Sequence, residues 1–117
     1  MNRCMLKSKI HRATVTSVNV AYEGSLTLDA SLMKQADLFQ FERISVYNIN
    51  NGSRFDTYLI EGEPGSGVVC VNGAAARLAS PGDRIIVASY TWLTEVECQN
   101  HVPIVVRVDS NNKIVET

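Results

Sequence analysis

The sequence predicts a small, mainly β protein with one or two short helices. Strand-like segments with alternating apolar and polar residues recur along the 117 residues, and turn signals separate them. The clearest turn signals are Asn51-Gly52, Pro64-Gly65-Ser66-Gly67 and Pro81-Gly82-Asp83. Many short strands with few helical residues favour a closed β-barrel, because closure leaves no sheet edge unpaired.

The strands follow from local alternation and β-branched residues. The first strand, from Met5, is expected to have two distinct faces: Leu6, Ser8 and Ile10 on one, and Lys7, Lys9 and His11 on the other. Later extended segments are predicted at 15–20, 43–49, 54–60, 68–71, 84–90, 103–109 and 113–115.

Two short helices are indicated by capping residues. Asp29 is a suitable N-cap for a helix that runs through Leu32, Met33 and Ala36 towards Leu38. Thr94 and Glu97 have the spacing of a capping box, which predicts a second short helix.

Composition excludes several classes of protein. The chain has 45% apolar residues, 20% charged residues and a formal net charge of -1, which suits one globular domain over residues 1–117 and argues against bulk nucleic-acid binding. There is no room for a two-domain dinucleotide enzyme. The apolar run at 85–88 is far shorter than the ~20 residues of a membrane span. The basic N-terminus lacks the apolar region of a secretory signal, so we expect a cytoplasmic protein without membrane contact.

The cysteines and histidines give no clear metal or disulfide pattern. Cys4, Cys70 and Cys98 are far apart and odd in number, which suits reduced thiols. Cys98 and His101 could meet on one helical turn, but no third group is evident to orient a nucleophile or complete a metal site. We therefore expect no bound metal.

Two strands offer groups that could bind an anion. Lys7, Lys9 and His11 would share a face, which is typical either of a solvated basic edge strand or of a small anion site. Alternation also places Arg54 and Tyr58 on one face, where a guanidinium could bind a carboxylate beside a phenolic proton donor. An ordinary hairpin strand with a weak surface ion pair between Arg54 and Asp56 would have the same pattern.

Two small-residue segments could bring backbone close to a reacting group. Gly24-Ser25 is usually only a turn, but a serine hydroxyl after a glycine carbonyl is also the minimum that backbone self-cleavage requires. The segment 72–76, Asn-Gly-Ala-Ala-Ala, is either a tight turn or a lining of backbone polar groups for a pocket. It lacks the glycine spacing and the ending of a phosphate loop.

Four of these segments, taken together, match one family in order and spacing. The chain resembles bacterial aspartate 1-decarboxylase along its whole length, on the motifs Lys-Ile-His-Arg at 9–12, Tyr-Glu-Gly-Ser at 22–25, Asn-Gly-Ser-Arg-Phe-Asp-Thr-Tyr at 51–58 and Val-Asn-Gly-Ala-Ala-Ala at 71–76. The resemblance implies a double-psi β-barrel, a homotetramer and a pyruvoyl-dependent lyase. That enzyme converts L-aspartate to β-alanine and CO2 for pantothenate and coenzyme A synthesis.

The resemblance also implies how the cofactor forms. Ser25 attacks the Gly24 carbonyl in an N-to-O acyl shift assisted by Thr57, which leaves a β chain of residues 1–24 and an α chain of residues 25–117. The new N-terminus of the α chain carries a pyruvoyl group made from Ser25. This group forms a Schiff base with the substrate amine and replaces pyridoxal phosphate. No metal is needed.

Further residues acquire roles in substrate binding by the same resemblance. Tyr58 is expected to be the proton donor. Lys9 and Arg54 are expected to bind the substrate carboxylates, without an assignment of which residue binds which. The groups expected to line the substrate are Thr57, Asn72 and the backbone of Gly73, Ala74 and Ala75.

Two features of the strand at 54–60 qualify this interpretation. Thr57 and Tyr58 should point to opposite faces, so they can serve one site if the strand twists or ends there, or if the site lies between subunits, which we favour. Asp56 stands where a serine is more usual in the family. It could pair with Arg54 and weaken carboxylate binding, or face solvent.

Two alternatives remain beside the self-processing aspartate decarboxylase. One is a non-catalytic, oligomeric barrel that binds a small anion, and the other is a pyruvoyl decarboxylase for a different amino acid. A single uncut mass would favour the binding module, although a chain that depends on a maturation factor would give the same mass. Trapping with labelled amino acids separates the two decarboxylases.

Overall fold

Nine strands, two α-helices and one 3-10 helix form the computed structural model, which describes residues 1–116. The strands are β1 (Asn2–Thr14), β2 (Ser17–Asn19), β3 (Ser25–Asp29), β4 (Arg43–Asn48), β5 (Arg54–Gly62), β6 (Val69–Asn72), β7 (Arg84–Thr94), β8 (Ile104–Val108) and β9 (Ile114–Glu116). The helices are α1 (Ala30–Gln35), α2 (Glu95–Gln99) and the 3-10 helix Gly73–Leu78.

The strands form one sheet in the order β2-β6-β3-β5-β4-β7-β1-β8-β9. The sheet curls until distant strands meet: the Thr16 amide donates to the Val69 carbonyl at 2.8 Å. The Asn112 Nδ2 group bridges the carbonyls of Thr14 and Gly67 at 2.9 and 2.8 Å. A sheet curled in this way encloses a core on its inner face, and the predicted small, mainly β barrel is confirmed.

The core consists of aliphatic side chains from seven strands and α1. Its largest fully buried members include Ile10, Leu26, Leu28, Leu32, Met33, Ile44, Leu59 and Ile85. Because these residues alternate with polar ones along each strand, the inner face is apolar and the outer face carries the charged and hydroxyl groups.

β1 differs from the predicted pattern in two ways. Leu6 pairs with Tyr90 and Ser8 pairs with Ser89, so Lys7 is an extra residue in a β-bulge. Since Tyr90 and Ser89 face opposite sides of β7, Leu6 lies on the opposite face from Ser8, and its expected alternation is wrong. β1 is also not an edge strand, because β7 and β8 pair with its two sides.

The turn at Asn51-Gly52 is confirmed. Gly52 has φ +77° and its amide donates to the Asn48 carbonyl at 2.8 Å. The antiparallel β4–β5 hairpin that it closes pairs Tyr47 with Arg54, Ser45 with Asp56 and Arg43 with Tyr58.

Both predicted helix caps are also confirmed. The Asp29 carboxylate accepts the Ser31 amide at 2.8 Å at the start of α1, although the helix ends at Gln35, short of Leu38. Thr94 and Glu97 form the capping box of α2. No helix within residues 1–116 is long and apolar enough to cross a membrane.

Candidate active site

Ser25 begins β3 and is buried, with 1% of its surface exposed. Its hydroxyl oxygen accepts a hydrogen bond from Asn72 Nδ2 at 3.0 Å, and the Glu23 carbonyl lies 3.5 Å away on the other side. This contact follows from strand pairing, because Ser25 stands opposite Asn72 in the β3–β6 ladder. A serine hydroxyl next to Gly24 is thereby held in one orientation.

The Asn72 side chain is the centre of a small polar cluster. Its Nδ2 group also donates to Thr27 Oγ1 at 3.0 Å, and its Oδ1 atom accepts from the Cys70 thiol at 3.2 Å. With the thiol at Oδ1, the amide presents its two N–H donors to Ser25 and Thr27. Sequence reasoning missed Thr27 and Cys70, since their roles depend on the pairing of β3 with β6.

The backbones of Gly24 and Gly73 are in direct contact. A Cβ atom on Gly73 would lie 2.5 Å from Gly24 Cα and 2.7 Å from Gly24 N, and Gly73 has φ +74°. The segment after Asn72 is a 3-10 helix, in which Ala74 is exposed and Ala75 is half-buried. The absence of a side chain on Gly73 therefore allows the Gly24 backbone to lie this close.

Thr57 and Tyr58 point to opposite faces of β5, as the alternation predicts. The half-buried Thr57 is on the face of the buried Leu59, whereas Tyr58 is 37% exposed on the outer face. Leu59 pairs with Leu26 in the parallel β3–β5 ladder. One step back along both strands, Tyr58 is on the same face as Ser25.

Arg54 lies four positions before Tyr58 on the same outer face. Its guanidinium carbon is 4.3 Å from the centre of the Tyr47 ring, in a cation–π contact. The Tyr47 hydroxyl is 2.7 Å from the Tyr90 hydroxyl. This hydrogen bond, with burial as a smaller cause, raises the pKa of Tyr90 to about 12.

Asp56 does not pair with Arg54; its side chain is 49% exposed and also binds two residues of β4. Arg43 Nη2 donates to its Oδ2 atom at 2.8 Å and Ser45 Oγ donates to its Oδ1 atom at 2.6 Å. These hydrogen bonds, Ser45 first, hold the pKa of Asp56 below its usual value. The predicted Arg54–Asp56 alternative is therefore wrong, because the β4–β5 register places a different arginine against the carboxylate.

Lys9 is on the same outer face but farther across the sheet. Strand pairing aligns Lys9, Ala88, Ser45 and Asp56 in one row over β1, β7, β4 and β5. At a strand spacing of ~4.8 Å, Lys9 is about 19 Å along the sheet from β3, where Ser25 lies. Arg54 is about 13 Å from Tyr58 along β5. Counted along the sheet of one chain, Lys9 is therefore four strands from Ser25, and Arg54 is four positions before Tyr58.

The outer face contains a groove of about 280 Å³ that is lined by Arg43, Asp56, Ala88 and Tyr90, among others, and not by Ser25.

Cys98 and His101 do not form a pair. Cys98 Sγ is 3.9 Å from the Leu93 carbonyl, and His101 Nε2 is 2.6 Å from the Leu6 carbonyl. Within residues 1–116, no group of three metal-ligating side chains could hold an ion.

Comparison with known proteins identifies the family of this chain. The model of a family described as aspartate decarboxylase matches residues 1–115. The chain belongs to the aspartate decarboxylase family. It is 56% identical over 115 residues to aspartate 1-decarboxylase of Thermoanaerobacter pseudethanolicus, with 98% of each chain covered. It is 58% identical over 113 residues to that of Syntrophobacter fumaroxidans, covering 97% of this chain and 91% of the relative.

Membership of the aspartate decarboxylase family confirms the family resemblance that was predicted from the four sequence motifs. It also confirms the interpretation of the chain as an enzyme of the lyase class.

The aromatic and hydroxyl groups around Arg54 and Asp56 were not predicted from the sequence. Arg43, Ser45 and Tyr47 do alternate along one strand, but their partners depend on the hairpin register.

Proposed function

We propose that the chain cleaves itself between Gly24 and Ser25 and then decarboxylates L-aspartate to β-alanine and CO2. The observation that carries the proposal is the buried Ser25 hydroxyl, held by Asn72 at 3.0 Å beside a glycine whose backbone contacts Gly73. The names of the relatives agree with this activity.

The surroundings of Ser25 fit the formation of a pyruvoyl group. Such a group is flat and small, and the Gly24 backbone beside it lies where a Cβ atom on Gly73 would fall. A Cβ atom on Gly24 would meet nothing within 4 Å beyond its chain neighbours, so the side-chain position at Gly24 is open. Packing does not require glycine at position 24, which favours a chemical reason for it.

The cleavage can be written with balanced atoms. Ser25 Oγ attacks the Gly24 carbonyl carbon, and the Gly24–Ser25 C–N bond breaks to give an ester with a free Ser25 amine. β-Elimination breaks the Ser25 Cβ–Oγ bond, releases Gly24 as a carboxylate and leaves dehydroalanine at position 25. Addition of one water and loss of one ammonia produce the pyruvoyl group.

Two residues are proposed to assist this cleavage. Asn72 Nδ2 donates to Ser25 Oγ at 3.0 Å and thereby orients the hydroxyl. Thr57, two steps back from the paired Leu59, is proposed to polarise the Gly24 carbonyl with its hydroxyl.

The remaining residues are proposed to bind substrate and move one proton. The pyruvoyl group, once formed, supplies a ketone that captures the substrate amine and an amide carbonyl that withdraws electrons. Tyr58 shares the face of Ser25 and is proposed to protonate the substrate carbon that loses CO2. Lys9 and Arg54 bind the carboxylates, and the backbone of Gly73, Ala74 and Ala75 lines the substrate.

A second copy of the chain is proposed to complete the site. Arg54 is about 13 Å from Tyr58 along the strand, whereas the two carboxyl carbons of aspartate are only about 4 Å apart. A neighbouring chain that presents its own Arg54 to the Ser25 and Tyr58 of the first chain avoids this distance, and its Lys9 is proposed to bind the other carboxylate. The resemblance implies a homotetramer, located in the cytoplasm, whose product supplies pantothenate and coenzyme A synthesis.

Intact mass spectrometry tests the cleavage. The purified chain should give fragments of residues 1–24 and 25–117. The larger fragment should be lighter by one ammonia than the same fragment with an intact serine at its N-terminus. Ser25→Ala should abolish both cleavage and decarboxylation, because no hydroxyl remains to attack. Ser17→Ala, which changes an exposed serine on β2, is the control and should behave as the wild type.

Two results would contradict the proposal. A wild-type chain that stays uncut, and is not cut when a bacterial lysate supplies a maturation factor, would leave the anion-binding barrel as the better description. Reduction with borohydride in the presence of labelled aspartate should attach label to the 25–117 fragment. Labelling by another amino acid but not by aspartate would change the substrate.

A further inference from the structure

Arg54 and Asp56 are close enough to neutralise each other. They lie two positions apart on the same face of β5, so their Cα atoms are about 7 Å apart and the arginine side chain can reach the carboxylate. A carboxylate tethered at this distance has a high local concentration around the guanidinium. It would compete directly with a substrate carboxylate for Arg54.

The β4–β5 register prevents this competition. Asp56 stands opposite Ser45, and Arg43 is two positions along β4. Both carboxylate oxygens of Asp56 are occupied, Oδ2 by Arg43 Nη2 at 2.8 Å and Oδ1 by Ser45 Oγ at 2.6 Å. Asp56 is thus turned towards β4 and held away from Arg54.

Arg54 is held in a different way, one that leaves its donors free. The Tyr47 ring supports the face of the guanidinium at 4.3 Å, and the Tyr47 hydroxyl is hydrogen-bonded to Tyr90 at 2.7 Å. A cation–π contact uses the face of the guanidinium, whereas a carboxylate binds the N–H groups at its edge. The same arginine can therefore rest on Tyr47 and bind an anion.

We infer that Arg43 is a positioning residue for substrate binding: it holds Asp56, together with Ser45, so that Arg54 stays available to a substrate carboxylate. The inference rests on the proposed function, in which Arg54 binds substrate. Arg43 itself makes no contact with substrate in this scheme. Its effect on affinity passes through Asp56 alone, and removal of the Asp56 charge should make Arg43 dispensable.

The test compares Arg43→Ala with the double variant Arg43→Ala/Asp56→Asn. Arg43→Ala should raise KM for aspartate by up to about fivefold, the competition expected from an exposed ion pair, and should leave kcat unchanged. The double variant should return KM to the wild-type value. Succinate, which has both carboxylates but no amine, serves as the probe in calorimetry, and its Kd should follow the same pattern without any turnover.

The control is Arg3→Ala. Arg3 also forms an exposed ion pair, with Glu95 at 3.1 Å, so its loss changes the net charge by the same amount. It should leave KM and the succinate Kd unchanged. If Arg3→Ala and Arg43→Ala changed KM and the succinate Kd equally, the loss of one positive charge would explain both effects, and the inference would be overturned.

Three further outcomes are decisive. An unchanged succinate Kd in Arg43→Ala, or a raised Kd that persists in the double variant, overturns the role of Asp56 as competitor. Wild-type protein that binds succinate but neither cleaves nor decarboxylates contradicts the proposed function. In that case the succinate measurements still decide whether Arg43 keeps Asp56 from Arg54.

Discussion

Gly24 and Gly73 are adjacent glycines in space, but the fold needs the missing side chain at only one of them. Gly73 has φ +74°, and a Cβ atom there would lie 2.5 Å from Gly24 Cα. A side chain on Gly24 would meet nothing within 4 Å. Gly73 is therefore a packing requirement, whereas Gly24 is free to be selected for the reactivity of its carbonyl.

Gly73→Ala should slow the cleavage strongly. The new Cβ displaces the Gly24 backbone from Ser25, and overpacking of this kind costs about 1–3 kcal/mol. Gly52→Ala is the matched control, because Gly52 has a similar φ of +77° but open space around it. It should cost about 1 kcal/mol of unfolding free energy and leave the cleavage rate unchanged.

A time course of intact masses, with urea unfolding of both variants, makes this comparison. If Gly73→Ala were cleaved as fast as Gly52→Ala, the contact between Gly73 and Gly24 would have no part in the reaction. If the two variants lost equal unfolding free energy but Gly73→Ala were cleaved more slowly, the result would support a role for this contact in cleavage.

At the level of elements, Asp29 joins helix α1 to the turn that precedes β6. Its Oδ1 atom accepts from the Ser31 and Gly65 amides at 2.8 and 3.0 Å, and its Oδ2 atom accepts from the Gly67 amide at 2.8 Å. Burial alone would raise the pKa of Asp29, but the hydrogen bonds from Ser31, Gly67 and Gly65 outweigh it and lower the pKa below 3.8. The turn it fixes leads into the strand that carries Asn72.

Asp29→Asn should destabilise the protein at neutral pH by about 1.5–3 kcal/mol, the contribution of buried hydrogen bonds to a charged group. Because the folded-state pKa is lowered, this stability is present above the unfolded value of 3.8 and is lost as the pH falls through the folded value. Urea unfolding at pH 7 and at pH 3 measures it.

The difference between Asp29→Asn and the wild type should shrink at the lower pH. Glu95→Gln, which removes an ion pair whose side chains are 56% exposed, is the control and should change stability by less than about 1 kcal/mol at either pH. A difference for Asp29→Asn that grows on acidification would reverse the assigned direction.

Elements that depend on local chemistry were predictable, and their registers were not. The caps at Asp29 and Thr94 and the turn at Asn51-Gly52 follow from side-chain hydrogen bonds and from φ values that only some residues adopt. The pairing of Tyr47 with Arg54 requires a four-residue loop, whereas a two-residue turn at Asn51-Gly52 would pair Tyr47 with Asp56. Turn residues do not specify loop length.

At the scale of the whole molecule, the candidate site is divided over the outer face. Ser25 and Asn72 are in contact where β3 pairs with β6, and Tyr58 immediately precedes the Leu59 that pairs with β3, whereas Lys9 and Arg54 lie on β1 and at the start of β5. A site shared between two chains would combine the first group of one copy with the second group of another.

Co-expression of Ser25→Ala and Arg54→Ala chains tests such sharing. Neither chain should be active alone. In random assemblies about a quarter of the sites combine an intact Ser25 from one chain with an intact Arg54 from the other, so decarboxylase activity should return to about that fraction of the wild type. Aspartate decarboxylation by the copurified assemblies is the measurement.

Ser25→Ala co-expressed with Tyr58→Phe is the matched control. Both changes fall in the same group, so no assembly contains an intact site, and activity should not exceed that of Tyr58→Phe alone. Recovery in this control, or none with Arg54→Ala, would mean that the site is not divided between chains in this way.

The sequence by itself determined the mainly β class, the two capped helices and the residues around Gly24-Ser25, because alternation, capping and short motifs act over a few neighbouring positions. Only the tertiary structure decided that Arg43 binds Asp56, that Leu6 leaves the face of Ser8, and that Lys9 stands in one row with Ser45 and Asp56, four strands from Ser25 in the sheet. These outcomes depend on strand register and on a single bulged residue. A shift of one position moves every following side chain to the other face of the sheet.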